Sequence, residues 1–179
     1  MSDNNVKPWE ELRREQVFKK YSRAIDKVDF LLPNGEESDF YIKAEAPAAA
    51  IFALTADDKV VLARQFRPGP KKVLDELPGG YIEPGEGALE AIKREFKEET
   101  GYEGDFVEIG TCLDDAYSTM ERHCFVATNC RKVTEPTHTA TEQTLLVLKS
   151  LAEFRAQLRS GQMTDVEVGY MALDYLNKL

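Results

Sequence analysis

Residues 80–102 read GYIEPGEGALEAIKREFKEETGY, and this stretch contains the most regular pattern in the chain. From residue 86 to residue 100, apolar side chains recur with a helical period, which predicts an amphipathic helix. The positions spaced to bury one side of that helix are Leu89, Ile92 and Phe96. Gly101 follows the last periodic residue, where glycine most easily adopts the left-handed conformation that ends a helix.

Acidic residues cluster on one side of this predicted helix. Glu95, Glu98 and Glu99 are related by steps of three and four residues, so their carboxylates emerge together. Ala88 and Ala91 lie on the same side in earlier turns and would let another group approach closely. Clustered negative charges repel each other unless a cation joins them, and oxygen ligands of this kind suit a hard divalent ion such as Mg²⁺. The alternative interpretation is a solvated acidic helix face.

The spacing of residues in this stretch resembles the Nudix box. Its fixed positions are filled by Gly80, Glu86, Arg94, Glu95, Glu98, Glu99 and Gly101, with Phe96 and Tyr102 in the apolar positions. On this match the chain is identified as a member of the Nudix hydrolases. The resemblance implies an α/β/α sandwich, a divalent cation and hydrolysis of a diphosphate bond.

Composition limits the other classes of protein that the chain could represent. With 179 residues, 42% hydrophobic and 31% charged, it has the composition of one soluble globular domain with a small appendage. Its net charge of −9 argues against general nucleic-acid binding and against anionic membrane surfaces. The three cysteines form no CxxC pair, so neither a disulfide framework nor a zinc site is predicted. We expect a cytoplasmic protein, because no apolar run reaches membrane length and no secretory segment stands at the N-terminus.

Residues 1–45 are predicted to form an N-terminal β segment, and residues 46–179 the main domain. Asn34-Gly35 lies between two β-like runs at residues 28–32 and 39–43, which is a strong signal for a β-hairpin. Residues 10–26 have a mixed pattern, and part of this range is predicted to be helical.

The main domain is predicted to mix strands and helices. The predicted strands are residues 48–54, 59–66, 73–77, 106–113, 123–127 and 145–148, and the helices that follow are residues 151–159 and 163–176. Strands on both sides of a central helix, with helices at the end, indicate a mixed α/β sandwich. This agrees with the Nudix-type sandwich that the box implies.

Two further motifs resemble one branch of the Nudix hydrolases. The run ArgGlnPheArgPro at residues 64–68 and the run GluLeuProGlyGly at residues 76–80 are similar to ADP-ribose pyrophosphatases and nucleoside-diphosphate-sugar hydrolases. Members of this branch are usually homodimers, so the resemblance implies a homodimer. The loop beyond the box departs from the branch, since Tyr117 stands near the position of a common proline. ADP-ribose and other nucleotide sugars, including GDP-mannose, therefore stay open as substrates.

The resemblance also implies roles for residues of the box. Glu95 and Glu99 are the expected primary metal ligands, with Glu98 a further ligand or water contact and the carbonyl of Gly79 an additional ligand. The expected ion is Mg²⁺, with Mn²⁺ as the alternative. Arg94 is expected to form a pair with Glu86 that orients the glutamates.

Substrate contacts are predicted outside the box. Arg64 and Arg67 precede the box in a basic run and are candidate ligands of the diphosphate. A spacing of three places them on opposite faces of a strand, so only one is expected to reach it. The candidate aromatic platform for a nucleobase is Trp9, with Tyr41 and Phe30 as alternatives, and Tyr117 is a further candidate for substrate binding.

The general base is predicted to come from a loop after the box, as in relatives of this branch. Glu142 is the first choice, and Glu135 and Glu121 are weaker ones. His123 lies within an apolar strand and is expected to be a core residue, whereas His138 is expected to be exposed in a polar loop.

The predicted reaction is attack of water on one phosphorus of a diphosphate linkage, giving a nucleoside monophosphate and a sugar phosphate. One alternative is a catalytically silent Nudix-like module that binds such ligands, and the intact set of carboxylates counts against it. Another alternative is a hydrolase of dinucleoside polyphosphates or capped RNA, which the net negative charge of the chain disfavours. The sequence leaves open the base, the sugar, the number of metal ions and the pathway.

Overall fold

A computed structural model describes residues 6–137 and 143–179. The chain folds into two units, which are described separately. The N-terminal unit consists of Met1–Ala46 and Leu113–Met120, and the main unit consists of Pro47–Cys112 and Glu121–Leu179. The sequence pattern did not predict that residues 113–120 would join the N-terminal unit.

The N-terminal unit contains a three-stranded antiparallel sheet in the order β1-β2-β3. Its strands are β1 (Glu10–Lys20), β2 (Arg23–Leu31) and β3 (Glu37–Lys43). The helix predicted within residues 10–26 is therefore wrong. Tyr21 adopts a left-handed φ of 55° in the turn between β1 and β2, and Arg14 on β1 bonds Asp26 on β2. Pairing with a neighbouring strand has overridden a weak local pattern.

The predicted hairpin around Asn34-Gly35 is confirmed. Leu32 donates its amide to the carbonyl of Glu36 at 2.8 Å, which closes the loop between β2 and β3. Gly35 has a φ of 85°, a conformation that favours glycine. The Asn34 side chain accepts from the Glu36 amide at 3.1 Å and further fixes the turn.

The main unit is built on a seven-stranded sheet with the order β10-β5-β4-β9-β8, to which β6 is added beside β5 and β7 beside β4. Its strands are β4 (Ala48–Thr55), β5 (Lys59–Arg67), β6 (Lys72–Glu76), β7 (Gly79–Tyr81), β8 (Tyr102–Leu113), β9 (Glu121–Lys132) and β10 (Leu145–Ser150). All six predicted strands of the main domain are present, and β8 and β9 are longer than predicted. The short strand β7 was not predicted.

Helices cover both faces of this sheet. Alternate residues of β4 point to opposite faces, so Phe52 lies in one apolar cluster and Ile51 in the other. Helix α1 (Ala88–Thr100) packs on the Ile51 face, whereas α2 (Leu151–Ser160) and α3 (Val166–Tyr175) pack on the Phe52 face. The predicted α/β/α sandwich is confirmed. Among the described residues, no helix combines the length and apolar character needed to span a bilayer.

Helix α1 follows the sequence pattern closely. It ends at Gly101, which has a φ of 74° and donates its amide to the carbonyl of Lys97 at 2.8 Å. Ile92 and Phe96 are fully buried as predicted. The prediction for Leu89 is wrong, since 37% of this residue is exposed and Ala91 is buried in its place.

Candidate active site

Two glycines of β7 bring the start of the box against helix α1. Gly79 and Gly80 pair with Ala50 and Ala49 of β4, so this edge of the sheet passes directly below the helix. A Cβ atom at Gly79 would lie 2.3 Å from the backbone oxygen of Ala49. A Cβ atom at Gly80 would lie 2.5 Å from Cδ and Oε1 of Glu95. A side chain at Gly79 would therefore collide with the backbone of β4, whereas a side chain at Gly80 would displace the Glu95 carboxylate.

The carboxylates of Glu95 and Glu99 both lie against this strand. Glu99 accepts a hydrogen bond from the backbone amide of Gly79, with 3.0 Å between N and Oε2. Glu95 reaches the space that a side chain at Gly80 would fill. Their spacing of four residues puts them one turn apart on the same side of α1, as the sequence predicts.

Arg94 connects the acidic residues of the site. Its guanidinium forms a bidentate pair with Glu86, in which Nε lies 3.0 Å from Oε1 and a terminal nitrogen 3.0 Å from Oε2. The other terminal nitrogen lies 2.7 Å from Oε1 of Glu95 and 3.5 Å from Oε2 of Glu98. The hydrogen bond from Arg94 lowers the pKa of Glu86, and the bond to Glu86 raises the pKa of Arg94. Arg94 thus holds Glu95 in place and partly neutralises the cluster.

The donor set has the chemistry that a hard divalent cation requires, because it consists of carboxylate oxygens beside a backbone strand. Half of the Glu98 side chain is exposed, so its carboxylate is accessible from solvent. Glu95 and Glu99 are engaged by Arg94 and by the Gly79 amide. Within residues 6–137 and 143–179, no group of three or more acidic, cysteine or histidine side chains converges as a metal centre would require. The residues therefore fit a divalent cation by donor type, with the carboxylates held by other partners in this arrangement.

Arg64 and Arg67 are paired with consecutive acids of β6. Arg64 forms a bidentate pair with Asp75, with distances of 2.6 and 3.1 Å. Its bond lowers the pKa of Asp75, to which Lys149 also contributes. Asp75 bonds Lys149 of β10 at 2.7 Å, and its backbone oxygen accepts from Gln157 of α2, which puts this network on the α2 face.

Arg67 instead bonds Glu76 through its Nε. Glu76 is completely buried and also accepts from the hydroxyl of Thr164 at 2.6 Å. Because Arg64 and Arg67 pair with adjacent residues of one strand, they point in different directions, in keeping with their spacing. Glu76 belongs to the GluLeuProGlyGly motif, which assigns it no role. Its pairing in the structure shows that it anchors Arg67.

Within the N-terminal unit, Trp9 and Tyr117 belong to one row of aromatic rings. Trp9 packs on Phe40 with 5.1 Å between ring centroids, and Phe40 stacks with Tyr117 at 6.3 Å and an interplanar angle of 18°. Phe30 contacts both Trp9 and Phe40 at 5.9 Å. Tyr41 follows Phe40 on β3, so its ring points to the other face of the strand and is 60% exposed. Phe40 was missed, although alternation along β2 and β3 places it on the same face as Val28, its cross-strand partner.

Lys43 fixes the segment that carries Tyr117. Its backbone amide donates to the carbonyl of Tyr117 at 2.8 Å, and its ammonium pairs with both Asp114 and Asp115. The bond to Asp114 is the largest contribution that raises the pKa of Lys43, and Lys43 lowers the pKa of Asp115.

The candidates for a general base differ in their placement. Glu142 and His138 lie outside the described residues. Glu121 bonds the hydroxyl of Thr111 at 2.7 Å, and Glu135 bonds Lys132 at 2.7 Å. Both glutamates are exposed and bonded within their own surface neighbourhoods.

His123 is not the core residue that its apolar strand predicts. Its side chain is 27% exposed, and Nδ1 lies 2.6 Å from Oε1 of Glu108 on β8. The edge of the sheet at β8 leaves this side chain partly in solvent, where an acidic neighbour can bond it.

Comparison with known proteins agrees with this geometry. The family model of the NUDIX domain matches residues 44–164, and the chain belongs to the Nudix family. A methanol dehydrogenase activator of Bacillus methanolicus is 32% identical over 123 residues, which cover 68% of this chain and 66% of that protein. An ADP-ribose pyrophosphatase of Bacillus subtilis (strain 168) is 34% identical over 91 residues, covering 51% of this chain and 49% of that protein. The matched part thus spans between about half and two thirds of these relatives.

A solved structure described as an ADP compounds hydrolase superposes with a TM-score of 0.77. The superposition covers 99% of this chain and 100% of that one, at 20% sequence identity. At this level of identity the likeness shows a shared fold. Nudix hydrolases generally use divalent metal ions.

Proposed function

We propose that the protein hydrolyses the diphosphate bond of ADP-ribose or a related nucleoside diphosphate sugar. The products are a nucleoside monophosphate and a sugar phosphate. The observation that carries the proposal is the packing of Glu95 and Glu99 against β7, with Arg94 joining Glu95, Glu98 and Glu86. The ADP-ribose pyrophosphatase among the relatives supports the choice of substrate.

The proposed cofactor is Mg²⁺, with Mn²⁺ as the alternative. Glu95, Glu98, Glu99 and the carbonyl of Gly79 would hold it. Such an ion, when bound, polarises phosphate oxygens and lowers the pKa of a coordinated water.

The chain's own residues position and screen the reacting groups. Arg94 restrains Glu95 and Glu98 in orientation, since a guanidinium bonded to several carboxylates limits their rotation. Arg67 uses its Nε for Glu76, and in the described part of the chain this leaves its terminal nitrogens to bind phosphate oxygens. Glu142 remains the proposed general base, with Glu98 as the other carboxylate that can hold the attacking water.

The aromatic row of Trp9, Phe40 and Tyr117 is the proposed platform for the nucleobase. Trp9 is 46% exposed and Tyr117 is 54% exposed, so each offers a ring face or edge to a ligand. Stacking on aromatic side chains is largely indifferent to the identity of the base. The row therefore supports a nucleotide ligand without selecting adenine over guanine.

A homodimer is also proposed. Strand β1 lies at the edge of its sheet, and all of its residues are exposed. Among them Leu12, Val17 and Phe18 each expose at least 44% of their surface. A long edge strand with exposed apolar side chains is suited to association with a second copy. Sedimentation equilibrium tests this, and a monomer at micromolar concentration would contradict it.

A cytoplasmic location is part of the same proposal. Cys112, Cys124 and Cys130 are all unpaired, as is usual in a reducing compartment.

A substrate panel with Mg²⁺ tests the proposed reaction. We expect turnover of ADP-ribose or of another nucleotide sugar such as GDP-mannose, and loss of that turnover when a chelator removes the metal. Glu99→Gln should lower kcat/KM by at least about 100-fold. The amide oxygen can still accept the hydrogen bond from Gly79, so the melting temperature should stay within a few degrees.

The matched control is Glu90→Gln, which removes one charge from the exposed first turn of the same helix. We expect this variant to keep wild-type kinetics. Tight binding of ADP-ribose without hydrolysis would contradict the proposal and would indicate a catalytically silent binding module. Faster turnover of dinucleoside polyphosphates or capped RNA than of nucleotide sugars would contradict the proposed substrate class.

A further inference from the structure

Two cysteines that the proposed reaction does not use lie in contact on neighbouring strands. Cys112 is near the end of β8 and Cys124 is in β9, and their Sγ atoms are 3.6 Å apart. The Cys124 thiol has two acceptors within reach, the sulfur of Cys112 and, at 3.5 Å, the carbonyl oxygen of Arg122. A disulfide needs an S–S distance of about 2.05 Å, and rotation about the Cα–Cβ bonds moves sulfur atoms over distances of that order. The pair is therefore close enough to be joined covalently.

The two thiols differ in their access to solvent. Cys124 is completely buried in the core below α2 and α3, whereas Cys112 is partly exposed. Burial raises the pKa of both thiols, that of Cys124 to about 12. The charge of Arg122 acts in the opposite direction on both, and that of Glu167 in the same direction as burial. Cys112 is therefore the thiol that a small oxidant meets first, and its reaction at neutral pH is slow because little thiolate is present.

We propose that Cys112 and Cys124 are a site of reversible oxidation, at which a hydroperoxide converts the two thiols into an intramolecular disulfide. The Cys112 thiol first releases its proton, and the thiolate attacks one peroxide oxygen. The O–O bond breaks, the sulfur becomes a sulfenic acid, and the other oxygen leaves as hydroxide, which takes up the released proton to give water. The Cys124 sulfur then attacks the sulfenic sulfur, the S–O bond breaks, and the second oxygen leaves as water with the remaining thiol proton. Two thiols lose two electrons in total, and one hydrogen peroxide is reduced to two waters. This chemistry is independent of the proposed hydrolase activity.

The disulfide would close a loop that contains the whole segment Leu113–Met120. That segment begins directly after Cys112 and carries Tyr117, whose ring belongs to the aromatic row. A covalent bond across a loop of this length stabilises a protein chiefly by restricting its unfolded chain. We expect the melting temperature of the oxidised protein to rise by roughly 5–10 °C, and a thiol reductant to reverse the change.

The experiment treats the full-length protein with hydrogen peroxide, removes the oxidant, and blocks remaining thiols with an alkylating agent under denaturing conditions. Intact mass then gives the number of blocked thiols, and peptide mapping without reduction identifies the linked cysteines. We expect one blocked thiol in place of three and a Cys112–Cys124 linked peptide. The rate should increase as pH rises above 8, since the reaction consumes thiolate.

Variants separate this pair from general thiol oxidation. Cys130 is also buried, and its sulfur donates to the carbonyl of Thr128 instead of to another cysteine. Cys130→Ser should therefore still form the linked peptide and show the rise in melting temperature. Cys112→Ser and Cys124→Ala should abolish both, and Cys112→Ser keeps the buried Cys124 intact if the other variant folds poorly.

Three outcomes would overturn the proposal. The first is a stable sulfinic acid on Cys112 without a linked peptide. The second is a disulfide between two copies of the chain through Cys112, detected as a covalent dimer on non-reducing gels. The third is no loss of free thiols at peroxide concentrations that oxidise a model thiol completely.

Discussion

Replacing Gly80 by alanine tests whether the position of the Glu95 carboxylate matters for catalysis. The added Cβ would lie 2.5 Å from Cδ and Oε1 of Glu95, whereas ordinary van der Waals contact begins at 3.4 Å. The carboxylate must therefore shift by at least 0.9 Å, the difference between these distances. The backbone of Gly80 is not in the left-handed region, so alanine can adopt it without strain.

The expected result is a loss of activity with little change in stability. A misplacement of about 1 Å at a reacting centre costs about 100-fold in rate, which corresponds to about 2.7 kcal/mol in the barrier. The displaced group is the end of a flexible side chain, so the free energy of unfolding should change by less than about 1 kcal/mol. Steady-state kinetics on ADP-ribose with Mg²⁺ and chemical unfolding in urea measure the two quantities.

Gly87→Ala is a matched control. A Cβ at Gly87 would lie 2.2 Å from Oε2 of Glu90, so this substitution also displaces a glutamate carboxylate of the same helix. Glu90 is exposed and lies outside the proposed site, and wild-type kinetics are expected. The reasoning fails if Gly80→Ala and Gly87→Ala have kcat/KM values within threefold of each other. It also fails if Gly80→Ala loses activity only because the protein unfolds.

Three further substitutions test the pairing of the charged side chains. Arg94→Lys keeps the charge but loses the bidentate contact with Glu86. We therefore expect kcat/KM to fall by about 10–100-fold and the free energy of unfolding to fall by about 1–3 kcal/mol, and an unchanged urea unfolding curve would contradict this expectation. Asp75→Asn should be less stable than wild type at pH 7, because the lowered pKa of Asp75 contributes stability above its ordinary value of 3.8. That contribution is lost as pH falls through the lowered pKa, so melting curves of the two proteins should converge in acid, and a constant difference down to pH 2 would refute this origin. Glu76→Gln removes the buried charge that Arg67 and Thr164 contact. We expect the free energy of unfolding, measured in urea, to fall by roughly 2–4 kcal/mol, and an unchanged value would show that the pair with Arg67 does not stabilise the fold.

The central part of the fold could be predicted because local and long-range requirements agree there. The helical period, the terminal glycine and the acidic spacing predicted a helix over residues 86–100. Helix α1 begins two residues later, at Ala88, and ends at Thr100 as predicted. Ile92 and Phe96 can be combined into an apolar helix face either with Leu89 or with Ala91. The prediction used Leu89, and this is the source of the error. The face through Ala91 is the buried one, since a small side chain lets the helix approach the sheet more closely.

The errors elsewhere arise from strand pairing that no local pattern encodes. Strand β1 has no buried residues, so there is no alternation of apolar and polar side chains to detect. Strand β7 has three residues, two of them glycine, and exists because β4 offers an edge at Ala48–Ala50. The partners of Arg64 and Arg67 required the register of the β5–β6 hairpin, which places Arg64 opposite Asp75. The types of residue at the site and the pairing of Arg94 with Glu86 were predicted, whereas the partners of Arg64 and Arg67 were not.

The position of β4 in the sheet has a consequence for the order of events during synthesis on the ribosome. One edge of β4 is occupied by β5 and β7, which follow it closely in the chain, and the other edge is occupied by the parallel strand β9. Until residues 121–132 have emerged, a nascent chain has the complete helix α1 but lacks Phe125, Ala127 and Cys130 of the apolar cluster that buries Ile92 and Phe96. Non-local pairing of this kind delays folding, so fragments that stop before residue 121 should remain sensitive to protease while chains that include β9 become resistant. The helix that carries the proposed metal ligands is thus synthesised early and becomes stable late.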